Sequence, residues 1–168
     1  MKKAGERQDA IVLATASVYT RGVARELRPY VKTGQLLVCV AKGIEEKSLL
    51  FQTDEVQEEI PDAVVACLSG PSHAEEVARR LPTTCVAGAA DSAVAEQVQA
   101  LFMNRVFRVY TSTDVKGIEL GGAVKNVIAL AAGIADGLGY GDNTKAALIT
   151  RGIAETARLG VKLGAHWE

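Results

Sequence analysis

Lys125 stands where a charge is hardest to place. It interrupts the run Gly121-Gly122-Ala123-Val124-Lys125-Asn126-Val127-Ile128-Ala129-Leu130-Ala131-Ala132, which would be apolar on nearly every face of a helix. A helix apolar all round is normally buried, and an unpaired buried ammonium costs several kcal/mol. One reading makes Lys125 a proton-transfer group, since desolvation eases the release of its proton near neutrality. The other makes it a lysine at the helix edge, its stem packed and its head in water. Asn126 adds a second polar side chain about 100° further round. The two cannot both face solvent without exposing much of the apolar run.

A second constellation is Ser69-Gly70-Pro71-Ser72-His73-Ala74-Glu75-Glu76. Ser72 followed by Glu75 matches a capping box, which by itself predicts no more than a well-made helix start. Glycine beside a helix start also lets backbone N–H groups approach an anion or the polar edge of a cofactor. Lys42-Gly43 follows another apolar run and could reach a phosphate or a nicotinamide. Surface lysines after strands are common, so this signal is weak alone. His73 and His166 have no metal-ligand partner at helical spacing, and no metal site is expected. Gly137-x-Gly139-x-Gly141 follows a helical segment and has the wrong spacing for a nucleotide turn, so it reads as a connecting loop.

The elements that must position these residues fall into two groups. Apolar runs at 11–14, 36–41, 63–68, 83–87 and 106–110 alternate with helical stretches at 45–60, 74–80 and 91–102. Continuous apolar strands separated by helices predict an α/β unit with a mostly parallel sheet covered on both faces. Ser69–Glu76 and Lys42-Gly43 then lie at the carboxyl ends of strands, where such sheets bind ligands. After about residue 113 the pattern becomes all helical. A helix is expected over 115–135 and another over 143–163, capped by Asp142 or Asn143. Ile149, Ile153, Ala157 and Val161 recur every fourth residue and predict the buried stripe of the second helix. The expected division is a nucleotide-binding unit at 1–112 and the first helices of a second domain at 113–168.

The 168 residues are 48% hydrophobic and 23% charged, with a net charge of −1. That balance excludes a disordered tail, and it argues against a nucleic-acid partner, which would call for a basic excess. Cys39, Cys67 and Cys85 are widely spaced and odd in number, which suits a reducing cytoplasm, and they read as buried small hydrophobes. The N-terminal MKKAGERQDA has no apolar core of a signal peptide behind its lysines. No charge-free run reaches membrane-spanning length, so no membrane insertion is expected.

Together, Val40-Ala41-Lys42-Gly43-Ile44-Glu45, the segment from Leu68 to Ala78 and the long run from Gly117 to Gly160 resemble the NAD(P)-dependent glycerol-3-phosphate dehydrogenase family. The resemblance covers about Asp9 to Ala165 and implies a partial Rossmann-like domain followed by the start of an all-helical domain. It implies reduction of dihydroxyacetone phosphate to sn-glycerol 3-phosphate with NAD or NADP, in glycerol-3-phosphate metabolism and phospholipid biosynthesis. Lys125 would be the proton donor and acceptor. Lys42, Gly70, Ser72 and Asn126 would bind substrate, and Lys42 and Ala74 would bind the cofactor.

The chain also departs from the family pattern. It has no G-x-G-x-x-G turn to hold a pyrophosphate, and it reads Thr15-Ala16-Ser17 where the family often has V-P-S. The family's downstream aspartate and arginine–asparagine pair would lie beyond residue 168. The expectation is therefore an interior piece of the enzyme, with an open sheet edge, a tendency to homo-oligomerise and doubtful activity by itself. Two other readings remain: a related 6-phosphogluconate- or ketopantoate-type hydroxyacid dehydrogenase, and a non-catalytic fragment retained for its fold.

Overall fold

The computed structural model of the chain describes residues 8–166. In chain order the elements are β1 (Ala10–Leu13), α1 (Thr20–Leu27), β2 (Leu36–Cys39), α2 (Gln52–Glu59), β3 (Val64–Ser69), α3 (Ala74–Ala78), β4 (Thr83–Gly88), α4 (Ser92–Phe102), β5 (Phe107–Ser112), α5 (Val115–Gly137) and α6 (Asp142–Lys162). All five expected strands form. They make one sheet in the order β1-β2-β3-β4-β5.

The sheet is mixed. β1–β2, β2–β3 and β4–β5 pair in parallel, but β3 and β4 pair antiparallel through Cys67↔Gly88, Leu68↔Ala87 and Ser69↔Val86. The reason lies in the link between them. α3 has five residues and advances about 7.5 Å, whereas a six-residue strand runs about 20 Å. The link is too short in helix to cross the sheet, so the chain turns back. The starts of β4 and β5 therefore sit at the edge where β2 and β3 end.

Reversal also divides the core. On one face Ile11, Leu13, Leu37 and Cys39 pack with Ala24 and Leu27 of α1 and Val56 of α2. On the other, Leu36, Val38, Ala66, Leu68, Cys85, Ala87 and Val109 pack with Ala95 and Val98 of α4. All four residues of β2 are buried because both of its faces are covered. Right-handed crossovers put helices on opposite faces once strand direction flips. The three thiols are free and buried, as expected, and burial pushes Cys67 up to about 12.

Several local expectations are corrected. The helical stretch over 45–60 shrinks to α2, because residues 44–51 form a loop closed by an Ile44↔Phe51 bridge. The Ser72–Glu75 capping box does not form: His73 is the N-cap of α3, and the Ser72 hydroxyl donates to the Gly70 carbonyl at 3.3 Å. Gly141, not Asp142 or Asn143, caps α6.

α5 is not buried all round. Glu119, Leu120 and Ala135 are its buried residues, while Val127 and Leu130 are about two-thirds exposed. By length and hydropathy alone α5 would be long and apolar enough to cross a membrane, although it carries Lys116, Glu119, Lys125 and Asp136. In the fold it packs on β3, β4 and α6. The large apolar stripe of α6 faces outward too, with Ile153 at 64% exposure. The helix instead buries Gly152 and Gly160, whose missing side chains admit Ile128 and Leu120 of α5. Small residues gave the closer approach, and the large ones were left uncovered.

Charge ties the first face together. The Arg21 guanidinium donates to Glu45 at 2.7 Å, to Glu58 at 2.9 Å and to Glu59 at 3.1 Å. Its hydrogen bonds hold the Glu45 carboxyl down at about 2. Burial acts the other way on Glu55 and Glu119, pushing each up to about 7 from the usual 4.5. The Glu45 contribution to stability is present above pH 4.5 and is lost as pH falls toward 2. The contributions of Glu55 and Glu119 are full below pH 4.5 and are lost as pH rises through 7. Urea unfolding should therefore give the highest stability at about pH 5 and a decline toward neutrality. Glu119→Gln should flatten that decline, and stability that rises between pH 5 and 8 would contradict the assignment.

Candidate active site

Gly70 ends β3 at φ +154°, wedged against the neighbouring strand. A Cβ there would lie 2.8 Å from the Thr84 carbonyl oxygen and 2.9 Å from the Cys85 Cα, so the close approach requires glycine. α5 then descends over the same corner. A Cβ at Gly122 would stand 2.7 Å from the Ser69 hydroxyl and 3.5 Å from Lys42 Cγ. A glycine pair inside a helix costs roughly 1 kcal/mol per residue, which calls for a reason. Here Gly122 lets the helix seat against the end of β3 and the stem of Lys42.

The predicted residues other than Asn126 line two cavities that share no lining residue. One, of about 300 Å³, is walled by Ser69, Gly70 and Pro71 on one side and by Gly117, Gly121, Gly122 and Lys125 on the other. The second, of about 620 Å³, is lined by Lys42, Ser72 and Ala74 with Val40, Leu68 and Cys85. Both lie at the edge where β2 and β3 end. Lys125 also lines an apolar cavity of about 490 Å³ between α5 and α6. Its side chain is exposed, as in the reading that places it at the helix edge with its head in water. The far side of α5 has no covering element among the described residues. Asn126 is exposed beside it and lines none of these cavities.

The second cavity suits the flat end of a nicotinamide cofactor: its walls are mostly apolar, with Lys42, Ser72 and Asn104 as polar groups among them. Thr15, at the end of β1 on the same edge, has a buried hydroxyl with no partner among the described residues. An orphaned hydroxyl there is a group for a ligand to satisfy. No G-x-G-x-x-G turn occurs in the 168 residues. Sequence reasoning missed Gly121, Gly122 and Cys85 as neighbours of the site. The Gly121-Gly122 pair inside a helical pattern was the available signal. It also missed the cap of α5, where Asp114 accepts from the Gly117 N–H at 3.1 Å.

Comparison with known proteins shows the family. Residues 1–95 match the NAD-dependent glycerol-3-phosphate dehydrogenase N-terminus, and residues 114–168 match its C-terminus. A glycerol-3-phosphate dehydrogenase [NAD(P)+] of Agathobacter rectalis is 64% identical over 163 residues, covering 97% of this chain and 48% of the relative. The crystal structure of glycerol-3-phosphate dehydrogenase from Coxiella burnetii superposes with a TM-score of 0.86 at 34% identity, over 94% of this chain and 48% of that one. A PanE/ApbA family ketopantoate reductase from Ralstonia eutropha shares only the fold, with 18% identity and a TM-score of 0.54, so the hydroxyacid-dehydrogenase alternative is not favoured. The chain spans about half the length of the curated relatives it matches. With its Rossmann-like sheet and the helices that follow, it belongs to the NAD(P)-dependent glycerol-3-phosphate dehydrogenase family.

Proposed function

We propose that the chain carries the central part of a glycerol-3-phosphate dehydrogenase site, acting on dihydroxyacetone phosphate and sn-glycerol 3-phosphate with NAD or NADP. The observation that carries this reading is the shared cavity of Lys125 and Ser69-Gly70-Pro71 beside the Lys42 stem. Lys42, Gly70, Ser72 and Asn126 are the substrate-side residues, and Lys42 and Ala74 are the cofactor-side residues. The site straddles the junction of a nucleotide unit at 1–112 and a helical unit at 113–168.

The nicotinamide, when bound, supplies the hydride. Lys125 hydrogen-bonds to the ketone oxygen, stabilises the negative charge that develops on it and gives it a proton. In the reverse direction the neutral amine takes the proton from the C2 hydroxyl. Lys42, a cation at the same edge, holds the phosphate end. The three free thiols fit a reducing cytoplasm.

With dihydroxyacetone phosphate and NADH, turnover should require Lys125. Lys125→Ala should lower kcat by about 10²–10⁴-fold, as loss of a general acid does. Unphosphorylated dihydroxyacetone should be a much poorer substrate, and Lys42→Ala should raise KM for the phosphorylated triose. A Lys125→Ala protein that turns over as fast as its parent would refute the assignment; a folded chain with no turnover would favour the non-catalytic alternative.

Homo-oligomerisation belongs to the same proposal. Val127, Leu130 and Ile134 of α5 and Ile153 of α6 are all more than half exposed, and an apolar face of that extent favours association. Light scattering should give a mass that rises with concentration, and Leu130→Glu with Ile134→Glu should lower it. A monomer across the whole range would overturn this part.

A further inference from the structure

The first turn of α2 lacks a cap of its own. Its N-cap is Phe51, which has no side-chain acceptor. Thr53 carries one of the four amide protons that the start of a helix leaves unpaired. That proton goes to α5: the Thr53 N–H donates to Glu119 Oε1 at 3.1 Å, and the Thr53 hydroxyl donates to Oε2 at 2.5 Å. Glu119 is 6% exposed and 66 residues distant in sequence. A carboxylate gripped by both oxygens fixes how far α5 has slid along its axis and how far it has turned. Apolar packing alone tolerates small movements of either kind.

The same turn of α2 also holds the loop that carries Lys42. Gln52 accepts from the Thr20 hydroxyl at 2.5 Å. Its amide donates to Glu55 at 2.7 Å and to the Gly43 carbonyl at 3.5 Å. Thus Gln52 reaches the residue after Lys42, and Thr53 reaches the helix of Lys125. Lys125 lies six residues beyond Glu119, about 9 Å up the axis. Between them only Leu120 is buried, and past Lys125 the next buried residue is Ala135.

We infer that Glu119 is a positioning residue: by capping α2 from α5, it sets where Lys125 stands relative to Gly70 and Lys42. This rests on the proposed role of Lys125 in proton transfer, while the positional claim concerns the fold and can be read without turnover. The titratable groups facing Glu119 are Asp54 and Glu55 of α2, Cys39 of β2 and Cys67 of β3. None is a cation, so the grip is made of hydrogen bonds and not of an ion pair. A glutamine at 119 keeps an acceptor for the Thr53 amide and offers a donor to its hydroxyl, so it should preserve the grip.

The test uses the whole 168-residue chain with its lysines reductively ¹³C-methylated, the Lys125 signal being assigned with Lys125→Arg. Glu119→Ala should speed hydrogen exchange at the Thr53 amide by about 10-fold or more, as expected when a buried hydrogen bond is lost. It should also shift the Lys125 methyl signal, while the Lys162 signal at the far end of α6 stays put. Glu119→Gln should restore both. In turnover, Glu119→Ala should lower kcat by about 10²-fold, the scale of a 1 Å misplacement, with KM little changed. A folded Glu119→Ala protein whose Lys125 signal is unmoved would overturn the inference. If that variant does not fold, Thr53→Val removes one of the two bonds, and an unmoved Lys125 signal there would overturn it equally. Loss of the Lys125 requirement in turnover, with the signals moving as described, would instead strike the proposed function and leave the positioning intact.

Discussion

The antiparallel pairing of β3 with β4 is the constraint on which the site depends. Because α3 is too short to carry the chain across the sheet, β4 starts beside the end of β3, and Gly70 is pressed against Thr84 and Cys85. Everything later in the chain inherits that reversal. α4 is sent to the second face, leaving the first face above β3 and β4 open for α5. α5 then runs back to the corner where β3 ends, which is how a lysine from the last third of the chain meets a loop from the middle.

Glycine does related work at three contacts. At Gly70 it lets two strands meet, at Gly122 it lets a helix meet a strand end, and at Gly152 it lets α6 meet α5. In each case the absent Cβ is replaced by an atom of another element, so these glycines set distances between elements more than they confer freedom. This explains why α6 buries its glycines and exposes Ile149 and Ile153. Close approach of the helix axes won over coverage of the larger side chains, and the wider apolar stripe remains for another surface.

Much of this was legible in the sequence. The five strands were marked by β-branched runs, and the carboxyl-end placement of Lys42 and Ser69–Glu76 followed from them. The resemblance carried by the run from Gly117 to Gly160 supplied the family, which the matches to residues 1–95 and 114–168 bear out. What failed depended on partners remote in sequence. The direction of β4 is decided by the length of α3, which the helical stretch at 74–80 overstated. The Ser72–Glu75 pattern is a local signal that the Gly70 carbonyl outcompeted for the serine hydroxyl. The exposure of α5 depends on what lies against it, which periodicity does not report. Glu119 gave no local cue, because its partner is 66 residues away.

The strand order has a further consequence for how the chain comes into being. Each strand lies next to the one made just before it, so the sheet order and the order of synthesis coincide. Among these five strands none has to be threaded between two made earlier, since each of β2 to β5 pairs with the strand before it. β1, β2 and β3 with α1 and α2 can settle while the remainder is still being translated. The contact between Thr53 and α5 comes late in this sequence of events, and it closes over a platform that is already assembled.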